Sequence, residues 1–299
     1  MKVMITTHWS RDFTGRKRAF TRADLLAISV ALGMLTVLAL KTLASGLMET
    51  HSAICLNNLR RLTLSWQLFA EDNSGRLVGN LDGGAVSTLS NSNRTWVLGW
   101  IDSSGMTLSS GFPVAYGGRG NTNTFVLTQL SPLAPYHERS ADVFKCPADP
   151  GLGNGTSGAP VARSYSMNSY MGPGSSTWTS GYRRYSAQQD LLDPVPSRAF
   201  LFLDERADGI NDGCLFVDMI GYDPMQPSRR QIIDFPAMYH DRSANFSFAD
   251  GHVESRRWTD PRTTPTQRLG IQLIVGVASP NNADVLWIQE RTSRRTLSR

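Results

Sequence analysis

The sequence predicts an α+β fold, one long amino-terminal helix followed by an antiparallel sheet with long loops, and three features predict it. No proline interrupts residues 20–72, and glycine occurs there only at Gly33 and Gly46, so a single helix can run through the segment. After Gly75 the helical period fades, and short apolar runs alternate with stretches rich in Gly, Ser and Asn. Near the end, NFSFA, Asp250-Gly251 and HVESRRW make a hairpin signal, because Asp-Gly suits the positive φ angles of a type I′ turn.

With 299 residues and 40% hydrophobic composition, the chain can bury one sizeable core or two small ones, which excludes a disordered protein. Charged residues make up 18% against about 25% in an ordinary soluble protein, a lean charge that points outside the cytosol. The net charge is +5, yet residues 1–19 and 291–299 each carry four net positive charges, so the stretch between them sums to −3. The body therefore offers no broad field to a nucleic acid. Cys55, Cys146 and Cys214 are widely spaced with no CxxC pair, against a zinc ribbon or thioredoxin-like site. They read as buried thiols or, in an oxidising compartment, as a Cys55–Cys146 bridge with Cys214 left over.

In chain order, residues 1–19 form a basic leader and residues 20–48 an apolar helix. The charge-free run at 25–40, LLAISVALGMLTVLAL, spans about 24 Å as a helix, short of the roughly 30 Å hydrocarbon core. Extension to Met48 with Lys41 snorkelling supplies the length. Arg16, Lys17 and Arg18 should stay cytoplasmic by the positive-inside rule, which puts the body across the inner membrane, periplasmic or extracellular. A plain anchor, a secretory signal ending at Ala44-Ser45-Gly46 and a more specialised signal all fit the hydropathy.

Residues 49–75 continue the helix outward. Cys55, Leu59, Leu62, Trp66 and Phe69 recur at spacings of 4, 3, 4 and 3, one apolar face, and Asn73-Ser74-Gly75 supplies the stop. Residues 76–290 make the α+β body, with strands expected at 95–101, 199–203, 214–219, 245–248 and 252–258 and short helices at 124–130 and 133–138. Residues 291–299 form a basic tail.

Two stretches carry a resemblance. RAFTRADLL at residues 18–26 resembles the leader junction of prepilins and pseudopilins, the subunits of type IV pili and type II secretion systems. His240, nine residues, then Asp250-Gly251 is similar to the signature of a prepilin-associated carboxy-terminal domain. CLNNLRRL from Cys55, AEDNSGRL from Ala70, WVLGW from Trp96, the stretch from Leu130 to the FKCPAD ending at Asp149, SYSMN from Ser164, PSRAFLFLDE from Pro196 and NNADVLWIQERT extend the likeness nearly to residue 292. The resemblance implies a pilin-like fold, cleavage between Ala19 and Phe20 by prepilin peptidase and methylation of Phe20, with Ala19 standing where the family nearly always has Gly. It also gives Asp24 the role of the family's acid, which answers the positive amino terminus of a subunit during assembly. An acid at such a depth is expensive and is normally paired or functional.

Other constellations point to chemistry less directly. His240, Asp250 and His252 could converge to hold a metal or move a proton, although His240 also suits a bond to nearby loop backbone. Glu205, Asp208, Asn211 and Asp212 in DERADGINDG supply oxygen ligands suited to Ca²⁺ without EF-hand spacing, and no other cofactor is indicated. Trp96, Trp100, Trp178 and Tyr182 could line a binding surface. With no GxSxG, HExxH or phosphate loop, the reading is a structural subunit and not an enzyme. Its partners are prepilin peptidase, other pilin or pseudopilin subunits and the inner membrane, with no nucleic acid. The rivals are an anchored surface-binding protein that never polymerises and an extracytoplasmic hydrolase using His240 and Asp250.

Overall fold

The computed structural model describes residues 21–102, 120–174 and 176–296. The leader with the Ala19–Phe20 junction, residues 103–119, Ser175 and the last three residues lie outside the described residues. The chain divides into two units, Met1–Gly46 and Leu47–Arg299, joined within one helix, α1, Arg22–Asp72.

In the first unit α1 starts with a reciprocal cap. Thr21 donates its backbone N–H and its hydroxyl to Asp24 Oδ2 at 2.9 and 2.8 Å, and Asp24 N–H donates back to Thr21 Oγ1 at 3.2 Å, which satisfies donors that a helix start leaves unpaired. Beyond it, Leu25, Leu26, Leu32, Met34, Leu35 and Leu38 are exposed. Residues Arg22–Leu40 are long and apolar enough to cross a membrane, a test that a signal sequence also passes. As a helix the 19 residues reach about 28 Å, close to the hydrocarbon thickness.

In the second unit the expected seam is the buried face of α1: Cys55, Leu59, Leu62 and Trp66 are fully buried and Phe69 packs partly against the same core. Each buried leucine contributes about 1.5–3 kcal/mol. The helix stops where Ser74 and Gly75 turn to positive φ and Gly75 N–H reaches back to Ala70 O at 2.7 Å, a left-handed cap that closes the last carbonyls.

The body follows with α2 (Phe125–Thr128) and strands β1 (Tyr165–Asn168), β2 (Phe200–Asp204), β3 (Cys214–Leu215), β4 (Gln231–Ile232), β5 (Ser243–Phe248), β6 (Val253–Arg257) and β7 (Val277–Ala278), closed by α3 (Ala283–Thr292). The main sheet has the order β3-β1-β2-β5-β6. It is mixed and not antiparallel throughout, because β3 pairs parallel with β1, Met167 opposite Cys214. The other three pairings are antiparallel. One core joins the α1 seam to Tyr165, Met167, Leu201 and Phe202, and a second joins Phe200, Leu203, Phe246 and Phe248 to Trp258 and Ile288 of α3. Every residue of β2 and β5 is buried, as covered central strands require.

Several expectations change. No strand forms at 95–101: Trp96, Gly99 and Ile101 N–H groups go to Gly79, Val86 and Asn211 carbonyls, three separate segments that cannot make one ladder. Residues 133–138 form a short 3-10 turn at Ala134–His137 in place of an α-helix. The basic tail is docked in its described part. Arg291 and Thr292 belong to α3, Arg294 Nε meets Asp193 at 2.9 Å and Thr296 N–H bonds Gly181 O.

Candidate functional site

The hairpin with Asp250-Gly251 differs from a type I′ turn. Gly251 has φ +98° while Asp250 is not left-handed, and Asp250 Oδ1 accepts the N–H of His252 two residues on, at 3.1 Å. That side-chain bond reinforces the backbone turn, in which Gly251 N–H bonds Phe248 O at 2.9 Å. Gln67 of α1 donates to Ala249 O at 2.9 Å, so the hairpin end is fastened to the helix.

The left-handed pair lies at the other end of β5. Asp241 and Arg242 have φ +53° and +59°, and His240 and Ser243 exchange both backbone bonds, at 3.4 and 3.1 Å, the pattern of a two-residue hairpin turn. His240 and Asp250 thus flank the six residues of β5, about 20 Å of strand, and do not converge. The nine-residue interval measures one strand and its two turns.

His240 turns inward to a different acid. Its Nε2 lies 3.2 Å from Asp204 Oδ2 and 3.3 Å from Cys146 Sγ, and Cys55 Sγ donates to the same Asp204 oxygen at 3.5 Å. The bond expected from His240 to loop backbone is made by its main chain alone. The four ligand atoms of Cys55, Cys146, Asp204 and His240 all lie within 4.8 Å of one another, the one such group among the described residues. Cys55 and Cys146, read from the sequence as buried thiols or as a bridge, lie together here as buried free thiols.

Each member is fixed from outside. Cys55 comes from the buried seam of α1, and Tyr165 of β1 donates its hydroxyl to Cys55 Sγ at 3.3 Å. Cys146 follows a 3-10 turn whose carbonyls at Asp142 and Lys145 accept from Asn58 of α1, and its N–H bonds Ser164 Oγ at 3.0 Å. Ser164 donates to Asp149 Oδ2 at 2.6 Å, where Lys145 also pairs at 2.7 Å. Asp204 ends β2, and its other oxygen accepts Asn245 N–H of β5 at 2.7 Å.

Burial governs the proton balance of the cluster. It works against a charge on His240, but the bonds to Asp204 and Cys146 outweigh it and raise the imidazole to about 9. Burial pushes Asp204 up against the pull of His240, and pushes the Cys55 thiol well above its ordinary value. The hydrogen bond from Cys55, followed by the opposing effect of burial and the contact with His240, leaves the Cys146 thiol lowered. Two thiols, an imidazole and a carboxylate in this arrangement can bind a thiophilic cation or exchange protons among themselves.

The remaining candidates are dispersed. His252 and Asp250 pair at 2.6 Å on the surface, with the imidazole stacked on Phe248. Glu205 is buried and accepts from Ser166. Asp208 is gripped by Nε and Nη2 of Arg206 at 2.8 Å, Asn211 accepts from Asp212 N–H, and Asp212 accepts from Gly83 and Cys214. The oxygens of Asp208, Asn211 and Asp212 are held by separate partners, whereas Ca²⁺ needs six to eight converging on it. Trp96 is fully buried while Trp178 is 48% exposed, so they share no surface. Asp204 and Tyr165 are the members that sequence reasoning missed.

Family models, curated proteins and solved structures yield no match to this chain.

Proposed function

We propose that the chain is a structural subunit of the minor pilin or pseudopilin kind, held in the inner membrane by the first part of α1 and processed by prepilin peptidase between Ala19 and Phe20. The body stands in the periplasm and meets neighbouring subunits or cargo. The observation that carries the reading is α1 itself: 51 residues of helix, apolar and exposed at 25–40, then packed along one seam from Cys55 to Trp66. A helix that serves as tether and core in succession is what a subunit packing helix against helix needs, and Ala27, Ala31, Gly33 and Ala39 allow close approach. Exposed Ile271, Ile274, Val275 and Val277 give the body an apolar patch for contact.

Amino-terminal sequencing of the mature product tests the reading. A start at Phe20 is expected; Met1 would favour a plain anchor, and a start near Leu47 a secreted protein. Asp24 then has two separable duties. Asp24→Asn keeps an acceptor for the Thr21 cap and removes the charge, so it should insert normally yet fail to enter filaments. Normal incorporation would remove Asp24 from assembly.

The second reading, an anchored binding protein that never polymerises, is favoured by Trp178, half-exposed beside Phe216. An uncut leader together with a glycan or peptide retained through Trp178 would support it.

A further inference from the structure

We propose that Cys55, Cys146, Asp204 and His240 form a tetrahedral zinc site inside the body. Zinc bonded to sulfur at about 2.3 Å and to nitrogen or oxygen at about 2.0–2.1 Å places tetrahedral neighbours about 3.5 Å apart for S–N and S–O and about 3.3 Å for N–O. The corresponding separations are 3.3 Å for Cys146 Sγ to His240 Nε2, 3.5 Å for Cys55 Sγ to Asp204 Oδ2 and 3.2 Å for His240 Nε2 to Asp204 Oδ2. All four donors lie within 4.8 Å of one another. Three of the six edges of the coordination polyhedron are already close to their metal-bound lengths.

The surroundings are those of a ligand shell. Asp204 turns Oδ2 to the cluster and has Oδ1 tied by Asn245 N–H, which fixes which oxygen is offered. Tyr165 donates its hydroxyl to Cys55 Sγ, the bond that stabilises a coordinated thiolate, and such outer partners tune and orient metal ligands. Cys55, Cys146 and Asp204 are fully buried and His240 is 6% exposed, so once the thiols ionise on binding, the ion itself offsets two thiolates and a carboxylate at a depth where water does not. Thiolate sulfur selects zinc over calcium or magnesium, which demand oxygen.

Two other uses of the cluster account for less of it. A nucleophilic cysteine paired with His240 and Asp204 requires substrate to reach Cys146, and Cys146 has no exposed surface. A Cys55–Cys146 disulfide would use the two sulfurs and give Asp204 and His240 no role. Zinc employs all four, with two thiol protons and the imidazolium proton of His240 released to solvent as the ligands bind. It would join α1, the loop before Ser164, the end of β2 and the turn before β5, positions separated by 149 residues between Cys55 and Asp204 and by 94 between Cys146 and His240. The site is structural: four protein ligands leave no open position for water.

The full chain, purified in detergent with reductant and zinc and then dialysed free of excess metal, should retain about one zinc per chain. Cobalt in its place should give the intense visible bands of a tetrahedral ion and a thiolate-to-metal charge-transfer band. Zinc held at a thousandfold its dissociation constant should raise the unfolding midpoint by about 8–16 °C over chelated protein. Cys55→Ser and His240→Ala should each lose the metal and its spectrum, while Cys214→Ser, with its sulfur beside the Asn80 and Leu81 carbonyls, should keep both. Wild-type protein that retains no zinc, a weak octahedral cobalt spectrum, or full metal retention in Cys55→Ser and His240→Ala would each overturn the proposal. Should those variants not fold, the wild-type stoichiometry, cobalt spectrum and chelation shift decide it alone. None of these readouts depends on leader cleavage or filament assembly.

Discussion

His240 and Asp204 meet at 3.2 Å with side chains 3% and 0% exposed, whereas His252 and Asp250 meet at 2.6 Å with side chains 41% and 35% exposed. The two pairs lie at opposite ends of β5 and have the same chemistry. The shorter contact is the weaker one. On the surface, water screens the charges and competes for both partners, so such a pair is worth little. Inside, each partner has lost its water and depends on the other. Distance ranks the pairs in one order and the cost of breaking them in the opposite order.

The comparison is broken most directly by removing each acid in turn. Asp204→Ala leaves the buried His240 imidazole and the Cys55 thiol without their shared acceptor, and should cost about 3–5 kcal/mol. Asp250→Ala loses only an exposed pair and a turn bond, and should cost about 1 kcal/mol or less. Urea unfolding of the two variants beside the wild type measures both. Equal losses would mean that burial does not separate the pairs.

The proton balance sharpens the same contrast. In zinc-free, reduced protein, His240 holds its proton to about pH 9 in the fold and to about 6.5 when unfolded. The folded state therefore binds more protons between those values, so the stabilisation is complete below about 6.5 and is lost as pH rises towards 9. Burial raises Asp204 as well, which has the same sign, while the other neighbours, Cys55 and Tyr165, are both held above their ordinary values. The loss across the window is on the order of 3 kcal/mol, read as a falling urea midpoint. Cys146, lowered in the fold, opposes it only where thiols ionise. Loading with zinc should reverse the slope, because coordination needs the deprotonated ligands. An unchanged slope would break the link between the cluster and stability.

The two pairs also mark how far the sequence could be read. Asp250-Gly251 announces a turn by residue type alone, and the seam from Cys55 to Trp66 announces a buried helix face by period alone; both are local signals. Asp204 was hidden because LFLD reads as an apolar strand end, and nothing local states that its carboxylate meets a histidine from another turn. Tyr165 was hidden for a related reason. Tyr165-Ser166-Met167-Asn168 alternates apolar and polar, but the run is only four residues long and buried on both faces, and nothing in so short a run states what the tyrosine hydroxyl will meet. The cluster draws on α1, β1, β2 and the His240 turn, and a site assembled across such separations becomes legible only with the pairing of the sheet.

The smallest effects belong to the turns that hold the two histidines in place, and they should have opposite signs. Gly251 has φ +98°, and a Cβ there would meet Gln67 at 3.5 Å, an ordinary contact. The penalty of Gly251→Ala is then backbone strain alone, about 1 kcal/mol. At the buried end the left-handed positions are filled by Asp241 and Arg242, and a positive φ costs arginine what glycine avoids. Arg242 also donates to Thr264 through an exposed bond at 3.0 Å, which returns little of that cost. Arg242→Gly should accordingly raise stability by about 0.5 kcal/mol, the relief of strain less the greater freedom of glycine in the unfolded chain. Thermal unfolding of both variants decides the matter. A loss in Arg242→Gly as large as that in Gly251→Ala would show that the Thr264 bond, and not the backbone, sets the geometry that delivers His240 to Asp204.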